Sequence, residues 1–213
     1  MNNVRTLSDV VEDLSNSTTE SLFNITWKKV TNGFYGLFQG RDTPSIFADS
    51  TEYTPLYTAR GYTSENSKYY MCSLLIEDEE VWRKYKLIEG HLEEMVKSAK
   101  PSKGKKMKGF TYTTNESNQK YLNIRVYHSI PFKVPHMMYT NAEGEKLNIP
   151  IEQFETFMSD HRVKARVVVR PDAVWSFKTS AGIALFATAI VLEDRPAEAS
   201  ESNEDSCTML LNM

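Results

Sequence analysis

With 213 residues, 40% of them hydrophobic, the chain is the size of one ordinary domain with appendages and can bury a core. No apolar run approaches the roughly 20 residues of a bilayer-spanning helix, and the acidic N-terminal stretch (Asp9, Glu12, Asp13) lacks the basic and apolar regions of a secretory signal. The net charge of −3 hides a segregation: the segment from Glu193 onward holds six acids and one base, which leaves 24 bases against 22 acids before it.

Residues 1 to about 20 are rich in Asn, Ser, Thr and acids and read as a disordered leader. Residues 22–40 carry Phe23, Ile25, Trp27, Val30, Phe34, Tyr35, Leu37 and Phe38, which predicts the first strands, with a turn at Asn32 and Gly33. Residues 41–65 mix prolines with aromatics and read as loop with short strand pieces. Lys68 to Ile76 is a strand ended by acids. A helix follows, with Val81, Tyr85, Ile88, Leu92, Met95 and Ala99 along one face, acids at its start, lysines at its end and Pro101 as its stop.

Beyond the helix come a basic loop, a strand piece at Gly109 to Thr114 and a strand at Tyr121 to Tyr127. A proline-broken stretch spans Ile130 to Met138, with a turn near Asn141 to Gly144 and a short helix or turn at Ile151 to Met158. Val163 to Arg170 alternates as a strand and stops at Pro171. Ile183 to Leu192 is apolar on both faces, as a doubly covered strand would be. The composition from residue 194 predicts an acidic disordered tail, which leaves residues 21–193 as one folded domain. Several strands, one inserted helix and no β–α alternation predict a mainly β, α+β chain: an antiparallel barrel of the OB-fold kind.

The stretch Tyr121 to Tyr127 carries two chemistries at a period of two. Leu122, Ile124 and Val126 share the face that a core wants, while Tyr121, Asn123, Arg125 and Tyr127 share the other. Flat rings and a guanidinium suit a single-stranded nucleic acid, because bases stack on rings and phosphates pair with cations. The run Lys97 to Lys108 carries six lysines and no acid, and Phe110 and Tyr112 follow it; from Lys97 to Lys133 there are nine bases and one acid, Glu116. Taken singly, such features also suit a solvated strand face and a solvated loop.

Catalytic signatures are missing from the sequence. The four histidines, His91, His128, His136 and His161, form no metal-ligand spacing, and there is no P-loop, no GxGxxG opening a helix and no GxSxG. No enzyme activity and no cofactor are therefore expected. A second informative segment is Arg170 to Gly182, where a strand stops at a proline turn and Trp175, Phe177 and Lys178 follow in a loop. Its rings either stack bases or plug one end of the barrel, and the sequence leaves both open.

In order and spacing, about two thirds of the chain resembles the single-stranded-DNA-binding proteins of T7-like phages and large DNA viruses. The likeness is carried by the strand and inserted helix (Lys68 to Lys100), the basic loop, the Tyr121 to Tyr127 strand and the Asn141 to Lys146 hairpin. The Val163 to Val169 strand, the Trp175 loop and the final apolar strand running into an acidic tail complete it. The resemblance implies an OB barrel that binds single strands in replication and recombination, with a tail that docks replication proteins and competes with DNA. The tail here departs from the family, being short, diluted with Ser and Ala, and followed by Met209 to Met213.

The expected cationic track is Lys103, Lys105, Lys106, Lys108, Lys120, Arg125 and Lys133, with Arg170 and Lys178 on the second segment. The expected stacking rings are Phe110, Tyr112, Tyr121, Tyr127, Trp175 and Phe177. Cys72 and Cys207, one in a predicted strand and one in the tail, argue against a disulfide and for a reducing compartment (host cytoplasm or nucleus if the chain is viral). No membrane partner is expected, and a homodimer is left open. The alternatives are a protein-interaction or virion-structural β-protein without nucleic-acid binding, and an OB module that prefers RNA.

Overall fold

The computed structural model describes residues 4–16, 22–38, 43–50, 53–58, 68–160 and 163–194. In chain order the strands and α-helices are β1 (Val4–Thr6), α1 (Leu7–Asn16), β2 (Ile25–Val30), β3 (Gly33–Phe38), β4 (Ser45–Phe47), β5 (Thr54–Thr58) and β6 (Tyr69–Leu75). Then come α2 (Glu79–Ser98), β7 (Lys106–Lys108), β8 (Thr111–Thr113), β9 (Lys120–Tyr127), β10 (His136–Thr140) and β11 (Lys146–Asn148). The last are α3 (Phe154–Asp160), β12 (Val163–Phe177) and β13 (Ser180–Asp194).

Five strands close a ring in the order β5-β6-β9-β13-β12 and back to β5. Every pairing in it is antiparallel except β9 with β13, which is parallel. Numbered one to five along the chain, these strands run 1-2-3-5-4 around the ring, a Greek-key order, and the fold is OB-like. The closure is uneven. β6 and β9 pair from Tyr69 with Tyr127 to Leu75 with Tyr121, whereas β12 meets β5 only at Lys164 and Ala165, and β9 meets β13 only at Leu185 and Phe186. The remaining short strands extend this ring: β3 and β4 on β12, β7 and β10 on β13, and β8 on β9.

Inward residues fill the ring. Leu122, Ile124 and Val126 of β9, Cys72 and Leu74 of β6, and Val167, Val169, Ile190 and Leu192 of the two long strands are all buried. Burial pushes the Cys72 thiol far above its ordinary pKa, so it stays protonated. On α2, Val81, Tyr85, Ile88, Leu92 and Val96 are buried; the expected Met95 packs against the core as well, and Val96 joins it in the last turn. Asp78 caps this helix, accepting from the Glu80 and Val81 backbone N–H groups.

Three expectations are corrected. Within the stretch read as a disordered leader, residues 4–16 form β1 and α1. Leu7, Val10 and Leu14 of that helix are buried, and β1 pairs in parallel with β4. The polar composition concealed an i, i+3, i+7 apolar stripe that docks on α2 and β4. The second correction concerns β12, which does not stop at Pro171. A register shift between Pro171 and Ala173 absorbs the proline, and the strand continues to Phe177. Trp175 and Phe177 therefore stand in a strand, and the hairpin turn is Lys178 and Thr179, with Lys178 at φ +28°. Third, the basic stretch is only partly loop, since Lys106–Lys108 is a strand alongside Ser180 to Gly182. The tail expected from residue 194 lies outside the described residues beyond Asp194.

Candidate nucleic-acid interface

The outward face of β6 and β9 is where the aromatic and polar alternation lands. With the core taking Leu122, Ile124 and Val126, the pleat presents Tyr121, Asn123 and Arg125 outward beside Ser73, Met71 and Tyr69 of β6. These are the second and third strands of the barrel, the face on which OB-folds take oligonucleotides.

One end of this face is a tyrosine cluster. β8 pairs Tyr112 with Tyr121, and their rings stack at 5.1 Å and 14°. Tyr57 of β5 meets Tyr121 edge-on at 6.3 Å. The three rings, with Thr58, Ser73 and Thr114, line an open depression of about 300 Å³. Tyr112 is 37% exposed and Tyr57 45%. A chain of hydroxyl bonds runs inward from here, the Tyr112 hydroxyl donating to Ser73 Oγ at 3.1 Å and Ser73 Oγ to Asn123 Oδ1 at 3.1 Å.

Asn123 leads into a second hollow, of about 320 Å³, lined by Tyr69, Met71, Lys108, Asn123, Arg125 and Trp175 among others. Trp175 reaches it because β12 lies next to the start of β13, and the indole packs against Gly182. A Cβ at Gly182 would stand 2.4 Å from the ring, so only glycine admits it. Phe177 stacks on Trp175 at 6.1 Å and 21°. β7 runs beside the same segment, setting Lys106 opposite Ser180 and Lys108 opposite Gly182. Lys105 donates to Ser176 Oγ at 2.7 Å. The basic stretch and the Trp175 hairpin are thus one surface, although Lys105 and Ser176 lie 71 residues apart in the chain.

The buried Asp172 carboxylate lies behind the hollow. It accepts from Arg125 Nη1 at 2.9 Å, from the Tyr127 hydroxyl at 2.6 Å and from Lys133 Nζ. The Arg125 guanidinium also lies 4.7 Å from the centre of the Tyr69 ring. Burial works against the charge on Arg125, but Tyr69 and Asp172 outweigh it and hold the group protonated. The Tyr127 phenol is pushed above its usual range by burial and then by its bond to Asp172. Tyr35 of β3 is raised in the same way, by burial first and by Asp172 next.

The structure sorts the expected site residues. Tyr112, Tyr121, Arg125, Lys108 and Trp175 line the two hollows, Phe177 flanks them, and Lys103, Lys106 and Lys178 are exposed. Phe110 borders the second hollow too, but as a stacking ring it is corrected: at 2% exposure it belongs to the core. It turns inward because Gly109 packs against the buried Glu89 of α2, whose carboxylate accepts from the Thr111 backbone N–H at 2.7 Å. Tyr127 is corrected as well. It shares the Tyr121 face but is only 4% exposed, covered edge-on by Tyr69 and Phe186 and bonded to Asp172.

Among the cations, Lys120 pairs with Glu79, Lys133 with Asp172, and Arg170 is half-buried within β12. The sequence pattern did not single out Tyr57, Tyr69, Asp172 or the 84% exposed Phe132, which stands beside Lys133 in a short 3₁₀ turn, Pro131–Lys133. The adjoining prolines made both Asp172 and Phe132 look like ordinary turn residues. Among the described residues no cluster of three or more His, Cys, Asp or Glu side chains could hold a metal.

No family model and no curated protein matches the chain. Among solved structures it is similar to the single-stranded DNA-binding protein from bacteriophage Enc34. A C-terminally truncated form matches at 15% identity and TM-score 0.45, covering 81% of this chain and 96% of that one. The same protein in complex with ssDNA matches at 14% identity and TM-score 0.45, covering 83% and 99%. Bacteriophage T7 gp2.5, a single-stranded DNA binding protein, matches at 14% identity and TM-score 0.37, covering 72% and 95%. Likeness at this level assigns no activity to the chain, and its fold rests on its own strand order.

Proposed function

We propose that the chain is a single-stranded-DNA-binding protein that acts by binding rather than catalysis. The observation that carries this reading is the outward face of β6 and β9, where the exposed Tyr112 stacks on the half-buried Tyr121 beside a hollow lined by Arg125, Lys108 and Trp175. Bases stack on the rings of either end while Lys103, Lys106, Lys108 and Arg125 meet phosphates, so binding is nearly blind to sequence and weakens with salt. A duplex keeps its base faces covered and cannot use the tyrosines. The segment beyond Glu193, acidic in sequence, would compete with the strand for the basic surface and dock replication proteins, which fits a role in replication or recombination.

The test is a titration of the full chain with oligo-dT at several salt concentrations, followed by tryptophan fluorescence, with oligo-U and duplex DNA of equal length beside it. Quenching by the DNA single strand, with a log–log salt slope near −0.7 per neutralised phosphate, is the expected result. Stronger binding of oligo-U would move the reading to RNA. No binding at low salt would sink it and leave an interaction surface for protein, where Tyr, Trp and Arg are also enriched.

A further inference from the structure

We propose that Asp172 is the positioning residue of this interface, a buried carboxylate that aims Arg125 into the hollow, holds Lys133 beside Tyr127 and Phe186, and so strengthens the hold on phosphate. The inference rests on the single-strand reading above and deepens it.

Asp172 stands at the register shift of β12, between Pro171 and Ala173, and its side chain has no exposed surface. An acid is an unexpected choice so close to a phosphate track, and nothing in the barrel core requires one. All three of its partners come from the candidate face or its rim: Arg125 and Tyr127 from β9, and Lys133 from the 3₁₀ turn after it. The side chains of Arg125 and Lys133 keep only 15% and 18% of their surface exposed. Rings hold them further, with Arg125 against Tyr69 and the Lys133 ammonium 4.8 Å from Tyr127 and 5.4 Å from Phe186.

Two cations against one anion leave the site positive. A guanidinium carries five N–H donors and an ammonium three, so neither is exhausted by one carboxylate. A cation already desolvated and fixed in direction loses little freedom when it takes a phosphate. Without the carboxylate, Arg125 and Lys133 would be two half-buried like charges, which repel and swing apart. Pinning Lys133 also fixes the turn that displays Phe132.

Charge alone and positioning predict opposite signs for Asp172→Asn. Deleting a negative charge near phosphate should tighten binding and steepen the salt slope if only net charge matters. Positioning predicts weaker binding, about tenfold, with faster dissociation and a salt slope shallower by about 0.7 for each phosphate no longer neutralised. Circular dichroism and a thermal midpoint establish that the variant is folded. Should it not fold, the guanidinium proton signals of Arg125 in the DNA-free wild-type protein, assigned through Arg125→Lys, give the answer without it. Separate, slowly exchanging signals that shift when oligo-dT is added are expected; averaged signals that resolve only with DNA would overturn the proposal. Unchanged or tighter binding by a folded Asp172→Asn protein would overturn it too. A wild-type protein that fails to bind oligo-dT at all sinks the single-strand reading instead, and this inference falls with it.

Discussion

The two ends of the β6–β9 face are built on opposite principles. At the tyrosine end, Tyr57 and Tyr112 stand open to solvent and both rings pack on the half-buried Tyr121. At the cationic end, Arg125 and Lys133 are held by Asp172, Tyr127 and Tyr69. Ring faces need only exposure to be useful, because a base stacks on whatever flat surface it meets. A cation needs direction, since a loose one loses entropy and hydration when a phosphate arrives. On the proposed single-strand reading, affinity at the first end tracks ring area, and at the second it tracks how well the charges are fixed.

The largest expected effect removes the comparison altogether. Both ends hang on β9, and the fully buried Ile124 lies between them, facing inward. Ile124→Ala should cost about 2–5 kcal/mol of stability, read as a drop in the denaturant midpoint, and should weaken both ends together. If stability fell and binding at saturating fold did not, the two ends would not share the rigid strand described here.

Next come the ends separately. Tyr121→Ala removes the ring that both Tyr112 and Tyr57 pack against, and should cost about 1–3 kcal/mol of single-strand affinity per base unstacked. The salt slope should not change, because every cation stays in place. Lys108→Ala is the complement on the cationic side. An exposed lysine beside Trp175 should contribute a modest part of the affinity, and its removal should flatten the slope by about 0.7. If both variants changed slope and affinity in the same proportion, the division between stacking and charge would be wrong.

How much of this the sequence disclosed depends on whether period or tertiary packing was the deciding factor. The two faces of β9 follow from alternation alone, and α2 follows from its stripe, so both were legible. Burial on the outer face was not. Tyr121 and Tyr127 look equivalent at a period of two, yet Tyr69, Phe186 and Asp172 cover only the second, and they come from β6, β13 and β12. Phe110 and Tyr112 are likewise two residues apart, but β8 spans only Thr111–Thr113, and Gly109 turns the phenylalanine under Glu89. A proline hid the continuation of β12, because a bulge that absorbs Pro171 needs a partner strand to exist. The helix α1 was hidden by polar neighbours, since three apolar residues suffice once α2 and β4 supply the rest of the core.

The smallest effect at ordinary pH sharpens the comparison through the tyrosines themselves. Burial and Asp172 together push the Tyr127 phenol far above its ordinary 10.0, while burial, with Tyr57 and Tyr112 nearby, raises Tyr121 less far. In the unfolded chain Tyr127 ionises near its ordinary value; in the folded protein it keeps its proton well beyond it. Above that pH the unfolded state binds fewer protons than the folded one, so stability falls as pH rises, and below it the full contribution is present. A phenolate absorbance titration should therefore show Tyr127 ionising only as the fold gives way. Tyr127→Phe should remove part of the alkaline loss of stability, whereas Tyr121→Phe should leave it nearly unchanged. A Tyr127 that ionised near its ordinary value, in a protein still folded, would mean that Asp172 does not hold it and that the cationic end is as loose as the tyrosine end.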